Sequence, residues 1–296
     1  MSTAPSVPSQ RKMLTGEIFG YRIRKWLGDG AFSRVYLVED TKTHIAYAMK
    51  HVVSEGEKDD RWVDQVRAEW EIGRQLSHES LRQLVDLKFE GSILKGVFLK
   101  NARDVGLVME LIDAVPLSEQ PKPPFAESLR IFTSVAAGLV HMHQKGFVHA
   151  DMKPNNILYT DDRRTKVIDL GQAVKIGTVK ERIQGTPGFI APEQAKREPI
   201  TEQTDVFNFG ATMYWILMRS YAPQSAKHTN DSKVAVAPNL VGPSGPVHLA
   251  DPSIPEALSL VLLDCLEDLP HKRKKMSWVL KQLTALQKQA GVPARA

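Results

Sequence analysis

The chain has 296 residues, 42% hydrophobic and 25% charged, a balance ordinary for a soluble globular protein and large enough for a sizeable core. Lysine and arginine exceed aspartate and glutamate by only five, 39 against 34, and the charges are scattered, which does not argue for nucleic acid, and no such partner is expected. The single cysteine, Cys265, permits no internal disulfide, and its place in the apolar run ALSLVLLDCLEDL reads as a buried helical position. No apolar run approaches the ~18 residues of a membrane span. The N-terminus also lacks a charged-then-apolar signal pattern, so a cytoplasmic protein is expected.

In chain order, residues 1–16 are polar and rich in Pro and Ser, and predict a disordered leader. Tyr21–Asp40 alternates apolar and polar residues around glycines, which predicts a strand, a tight loop and a second strand. Gly28 and Gly30 would let backbone N–H groups approach a phosphate as no residue with a Cβ could. The next strand, HIAYAMKHV, carries Lys50 between apolar neighbours, a costly position unless the lysine is paired or ligand-bound. A helix is predicted over Arg61–Leu76; Gly73 inside it would cost about 1 kcal/mol against alanine.

Residues 84–112 predict two or three strands ending in GLVMELID, with extra length for a longer strand pair. QPKPPF then precedes a periodic helix closed by Gly146. His141 and His143 on that helix are two apart and cannot chelate together. An apolar helix opens near Asp205. Residues 219–253 lose periodicity and predict an irregular segment. Two helices, ALSLVLLDCLED and SWVLKQLTALQKQ, precede a tail at 289–296; HKRKK, just before the last, reads as a solvated helix start.

The stretch that carries the chemistry is HADMKPNNIL, His149–Leu158. It sets Asp151, Lys153 and Asn156 within six residues, and KVIDLG adds a second carboxylate, Asp169. Two acids, an amide and a lysine suit the holding of Mg²⁺ and the alignment of a hydroxyl against a phosphate, because phosphoryl transfer asks mainly for positioning and charge neutralisation. This stretch resembles the catalytic loop H-R-D-L-x-x-x-N and the D-F-G of protein kinases, with Ala150 in place of Arg and Leu170 in place of Phe.

Other motifs follow in the family's order over about residues 20–287, so the chain resembles the eukaryotic-like (Hanks-type) serine/threonine protein kinases. GDGAFSRV resembles the glycine-rich loop, with Ser33 at the third glycine. The resemblance implies ATP-binding positions at Leu27, Gly28, Asp29, Gly30, Ala31, Phe32, Ser33 and Val35. It adds Ala48, Lys50, Met109, the connecting Glu110, Leu111 and Ile112, and Leu158. AMK resembles A-x-K, which makes Lys50 the phosphate-holding lysine and Glu69 its expected partner, with Glu71 the rival on a different face. GTPGFIAPEQ resembles the end of an activation segment; its APEQ form is similar to that of bacterial members. Between Gly171 and Ala191 it offers only Thr178 and Thr186 as hydroxyls. Glu193 and Arg273 would form the family's ion pair, and Asp205 would tie down the catalytic-loop backbone.

The implied fold is α+β and bilobal: a β-rich N-lobe at about 17–109, a hinge at 110–113 and a helical C-lobe at 114–288. The implied chemistry is transfer from ATP, with Mg²⁺ or Mn²⁺ on Asn156 and Asp169, to Ser/Thr hydroxyls of a protein. Asp151 would accept the hydroxyl proton and Lys153 would neutralise γ-phosphoryl charge. Ala150 lacks the guanidinium that in many kinases anchors a phosphorylated activation segment, so activity is expected without phosphorylation at Thr178. The alternative is a pseudokinase serving as a binding or scaffolding module, suggested by Ser33, Gly73, Ala150 and Leu170. The sequence leaves oligomeric state open.

Overall fold

A computed structural model describes residues 14–30, 32–54, 60–89, 104–229 and 241–292. Ala31, most of the expected leader and the extra length expected between residues 90 and 103 lie outside these. The chain forms two compact units, residues 1–70 with 84–111 and residues 71–83 with 112–296.

Among its described residues the first unit is a six-stranded antiparallel sheet with one helix. Its strands are β1 (Glu17–Ile18), β2 (Tyr21–Asp29), β3 (Arg34–Asp40), β4 (Ala46–Val53), β5 (Leu84–Phe89) and β6 (Asp104–Met109). They are ordered β1-β2-β3-β4-β6-β5. Period-two alternation decides what each face buries. On β4, Ala48 and Val52 cluster with Val63 and Val66 of helix α1 (Asp60–Gly73), while Met49 joins Tyr21, Tyr36 and Val38. Lys50 stands between Ala48 and Val52 and therefore shares the face that α1 covers. Leu14 packs against the opposite cluster and the Gly16 carbonyl accepts Ile23 N–H at 2.9 Å, so the end of the expected leader belongs to the fold.

Gly73 departs from expectation. It closes α1 instead of sitting within it, so the cost of a mid-helix glycine does not arise. Ile72 beside it joins the core of the second unit.

That core is built on α2 (Phe125–Gln144), whose buried stripe includes Leu129, Phe132, Val135 and Leu139. After α2, Gly146 takes the left-handed conformation (φ 82°) that ends helices, and β7 (Phe147–Val148) leads into the stretch HADMKPNNIL. A 3₁₀ turn at Pro154–Asn156 is followed by β8 (Ile157–Tyr159), β9 (Thr165–Val167) and β10 (Val174–Lys175). β8 pairs with β9, and β10 pairs back onto β7 through Val174 and Val148. The remaining helices are α3 (Pro192–Lys196), α4 (Glu202–Met218), α5 (Pro223–Thr229), α6 (Val247–Ala250), α7 (Glu256–Cys265) and α8 (Met276–Gln289). α4 is buried almost all round, from Thr204 to Tyr214, which makes it the central helix of this unit.

Three expectations change here. The segment read as irregular at 219–253 contains α5 and α6 among its described residues. The tail does not begin at 289, because Val292 is buried and donates its N–H to the Gln287 carbonyl. HKRKK is solvated except for Arg273, which is buried on the Glu193 carboxylate. Cys265 is buried as expected, and desolvation pushes its thiol pKa up. Among the described residues no helix is long and apolar enough to cross a membrane.

The guanidinium of Arg273 uses all its N–H groups. It makes a bidentate pair with Glu193 at 2.7 and 2.9 Å and donates to the carbonyls of Gln203, Glu267 and Asp268. Breaking a buried pair strands the partner charge, so Arg273→Ala is expected to destabilise by about 3–5 kcal/mol in urea unfolding. Replacing both members by methionine should recover most of that loss, and equal losses in the two variants would contradict this account.

Candidate active site

In the first unit the loop glycine, an apolar cover and the lysine fall in one row. Gly28 on β2 pairs with Val35 on β3, which pairs with Lys50 on β4, which pairs with Leu107 on β6. Gly30 N–H closes the loop onto the Ser33 carbonyl at 2.8 Å. Leu27 and Phe32 are exposed large apolar residues at this end of the sheet, and Asp29 is exposed beside them. Ala48 pairs with Met109, the last residue of β6, after which Glu110 and Leu111 end this unit's chain.

Lys50 Nζ donates to Glu69 Oε2 at 2.8 Å, with the Glu69 side chain 3% exposed. Glu71 lies elsewhere, pairing with Arg74 at 2.8 Å where both side chains are about half exposed. Helical geometry explains the choice. Val66 and Glu69 are three apart on the face of α1 that packs on the sheet, whereas two further residues rotate Glu71 off that face.

In the second unit the chemistry collects around Asp151. Lys153 Nζ donates to Asp151 Oδ2 at 2.9 Å and to Thr186 Oγ1 at 2.7 Å; the Thr186 hydroxyl donates in turn to Asp151 Oδ1 at 2.8 Å. Both carboxylate oxygens are thus engaged, one by a cation and one by a hydroxyl. Asn156 turns its amide nitrogen onto the Asp151 carbonyl at 2.9 Å, leaving its carboxamide oxygen for another partner. Its own carbonyl accepts Ile168 N–H at 2.9 Å, which links the Asn156 turn to the stretch ending in Asp169. Asp169 adopts φ 65° and accepts Gly171 N–H at 3.2 Å. Leu158 is buried on β8, Ile112 is buried at the start of this unit's second segment, and Leu170 is buried in the main core.

The loop is held from beneath by Asp205, a fully buried carboxylate in the first turn of α4. It accepts the N–H groups of His149 and Ala150 at 2.9 and 2.8 Å and His143 Nε2 at 2.8 Å. Ala150 sits at φ 61° and its methyl is buried with Val148 and Ile200. Its carbonyl accepts Gln194 Nε2 at 2.8 Å. The sequence reading gives Gln194, His143 and Asn208 no role. Yet Gln194 ties α3 to the loop, and Asn208 donates to both Gln194 and the Phe189 carbonyl. Gln194 directly follows A-P-E and so stands out in the sequence; its partner does not, because the carbonyl it meets is 44 residues away.

The segment after Asp169 is also fastened. Thr178 donates to the Lys175 carbonyl at 2.7 Å and forms a β-bridge with Ile200. Lys180 donates to the carbonyl and side-chain oxygens of Gln172 at 2.9 and 3.0 Å. Burial pushes the Lys180 pKa down to about 8, with the Asp151 and Asp205 carboxylates opposing the shift.

The donor set suits a divalent cation of the hard, oxygen-seeking kind: a carboxylate at Asp169 and a carboxamide oxygen at Asn156, with phosphate and water for the rest. Among the described residues no group of three or more His, Cys, Asp or Glu side chains could hold a metal unaided.

Comparison with known proteins agrees with this geometry. Residues 21–283 match the protein kinase domain model. The chain is 26% identical over 262 residues to a probable serine/threonine-protein kinase of Clostridium acetobutylicum, covering 86% of this chain and 37% of that protein. It is 29% identical over 283 residues to serine/threonine-protein kinase PLK4 of Drosophila ananassae, covering 91% and 34%. It is 29% identical over 230 residues to myosin light chain kinase family member 4 of Homo sapiens, covering 72% and 55%. The chain therefore belongs to the protein kinase family, with its bilobal α+β fold, and spans about a third to a half of the length of these relatives. Members of this family use ATP and a divalent metal.

Two measurements check the site's energetics. Glu69→Ala is expected to destabilise by about 3 kcal/mol or more, because it removes a buried partner of a cation. Glu71→Ala should stay within about 0.5 kcal/mol, the scale of an exposed helical pair. Between pH ~8 and ~10.5 the unfolded chain holds more protons on Lys180 than the folded chain does. Wild type should therefore gain stability relative to Lys180→Met as pH rises through that window, read from paired urea titrations.

Proposed function

We propose that this chain is an ATP-dependent protein kinase domain that transfers the γ-phosphoryl group to serine or threonine hydroxyls of proteins, with Mg²⁺ or Mn²⁺ as its metal. The observation that carries this reading is the grip on Asp151, whose carboxylate is held by Lys153 on one oxygen and Thr186 on the other. A carboxylate so oriented is fitted to receive a hydroxyl proton as the hydroxyl oxygen bonds to the γ-phosphorus and the bond to ADP breaks.

The other roles follow from position. Lys50, fixed by Glu69, would take the α- and β-phosphates. Asn156 and Asp169 would supply oxygen ligands to the cation, whose charge offsets that of the phosphates. Lys153 lies within hydrogen-bond reach of both Asp151 and Thr186 and would stabilise charge on the transferring group. Glycines 28 and 30, with Val35, Ala48 and Met109, would receive the nucleotide, and Glu110–Ile112 would offer backbone groups to adenine.

The activation segment would work without phosphate on Thr178. Ala150 brings no guanidinium to anchor one, and the segment is held by other means: the Thr178–Ile200 bridge, Lys180 on Gln172, and Gln194 on the Ala150 carbonyl. None of the departures at Ser33, Gly73, Ala150 and Leu170 removes a group that would touch metal, phosphate or nucleophile, which favours an enzyme over a scaffold.

The test is transfer of labelled phosphate from Mg-ATP to casein. Wild type should label it, Asp151→Asn should lower the rate by about 10²–10⁴-fold, and Thr178→Ala should keep most of it. Mg-ATP binding without transfer would support the scaffold reading. Loss of activity in a folded Thr178→Ala would overturn phosphate-independent activation.

A further inference from the structure

The loop that joins β2 to β3 is attached to α1 by an aromatic stack. The Phe32 ring lies 3.8 Å from the Trp62 ring, centroid to centroid, with only 15° between their planes. The Arg61 guanidinium lies 4.5 Å from the Trp62 centroid and 5.9 Å from that of Phe32. Among the described residues Trp62 Nε1 has no hydrogen-bond partner. A cation beside a stacked pair adds attraction through the ring quadrupole.

Position on the helix gives the stack a consequence. Trp62 and Glu69 are seven residues apart, two turns of α1, so they lie on the same side of it, separated by about 10 Å. Val63 and Val66 fill the stretch between them against the sheet. α1 is therefore fastened to the sheet at both ends of one stripe: by Trp62 to the loop and by Glu69 to Lys50. A rotation of α1 that withdrew Glu69 would also slide Trp62 off Phe32, and a loop that lifted would release the helix.

We propose that Phe32, Trp62 and Arg61 form a clasp that couples the glycine-bearing loop to α1, so that the loop's closeness to nucleotide phosphates and the Lys50–Glu69 pair are set together. Trp62 and Arg61 are positioning residues in this scheme, acting through Phe32 and Glu69. The effect on turnover rests on the kinase reading; the mechanical coupling does not.

The experiment has two arms on the full chain. In the first, amide hydrogen exchange of residues 66–70 is followed without nucleotide in wild type, Phe32→Ala, Trp62→Ala, the double variant and Trp62→Phe. Coupling predicts that Phe32→Ala, although it lies outside α1, speeds exchange there as Trp62→Ala does. The double variant should be no faster than either single one, and Trp62→Phe, which keeps a ring, should restore most of the protection. Wild-type exchange in Phe32→Ala, or effects that simply add, would overturn the clasp. Should Trp62→Ala fail to fold, Phe32→Ala on its exposed loop still decides the matter.

In the second arm, Phe32→Ala and Trp62→Phe are compared in Mg-ATP kinetics. Phe32→Ala should raise KM for ATP by about 3- to 10-fold, the factor an aromatic pair is worth, with KM for the protein substrate unchanged. Faster exchange with an unchanged KM for ATP would remove the link to nucleotide. Absence of transfer by wild type would count against the kinase reading alone, because the exchange arm needs no activity.

Discussion

The second unit turns on one buried carboxylate. Asp205 is wholly out of solvent, where an unpartnered charge would cost several kcal/mol. Two of its three hydrogen bonds are to backbone N–H groups of the loop that presents Asp151. Those bonds help to hold Ala150 in a left-handed conformation that a residue with a Cβ adopts at a cost of about 1 kcal/mol or more. Once that backbone is held, Asp151 meets Lys153 and Thr186 from fixed ground. The third bond, from His143, ties the same carboxylate to α2, so loop, central helix and core helix share one electrostatic anchor.

A second anchor sits behind the activation segment. Arg273 and Glu193 satisfy each other while Arg273 also gathers three carbonyls, which fixes α3 at the segment's end. Gln194, next in sequence, reaches the Ala150 carbonyl, and Asn208 braces Gln194. Neutral amides thus hold the backbone carbonyl of Ala150. A cluster of Val148, Ala150 and Ile200, with Val174 packed on it, adds apolar burial on the same face. Packing and amide hydrogen bonds therefore hold this part of the chain together.

Much of this was legible in the sequence because its signals are local. Asp151, Lys153 and Asn156 lie within one short loop, which includes a 3₁₀ turn at Pro154–Asn156. Lys50 in an apolar strand calls for an acid, the family resemblance points to Glu69, and the structure pairs the two while Glu71 meets Arg74. The misreadings also have physical causes. Gly73 in the sequence cannot be told from a glycine within a helix, because the turn that follows lacks a strong stop signal. Arg273 sits in a basic run whose other members are exposed, and composition does not reveal which one turns inward.

Alone, then, the sequence determined the family, most of the elements and the candidate groups for the chemistry, since these depend on residue type and near-neighbour spacing. Tertiary structure decided which groups touch. The pairing of His143 and the loop backbone with Asp205, the reach of Gln194 to Ala150 and the stacking of Phe32 on Trp62 span 30 to 62 residues of chain. Contacts at that separation follow from how helices and strands pack. No pattern within a short window encodes the rotation and depth that bring such side chains together.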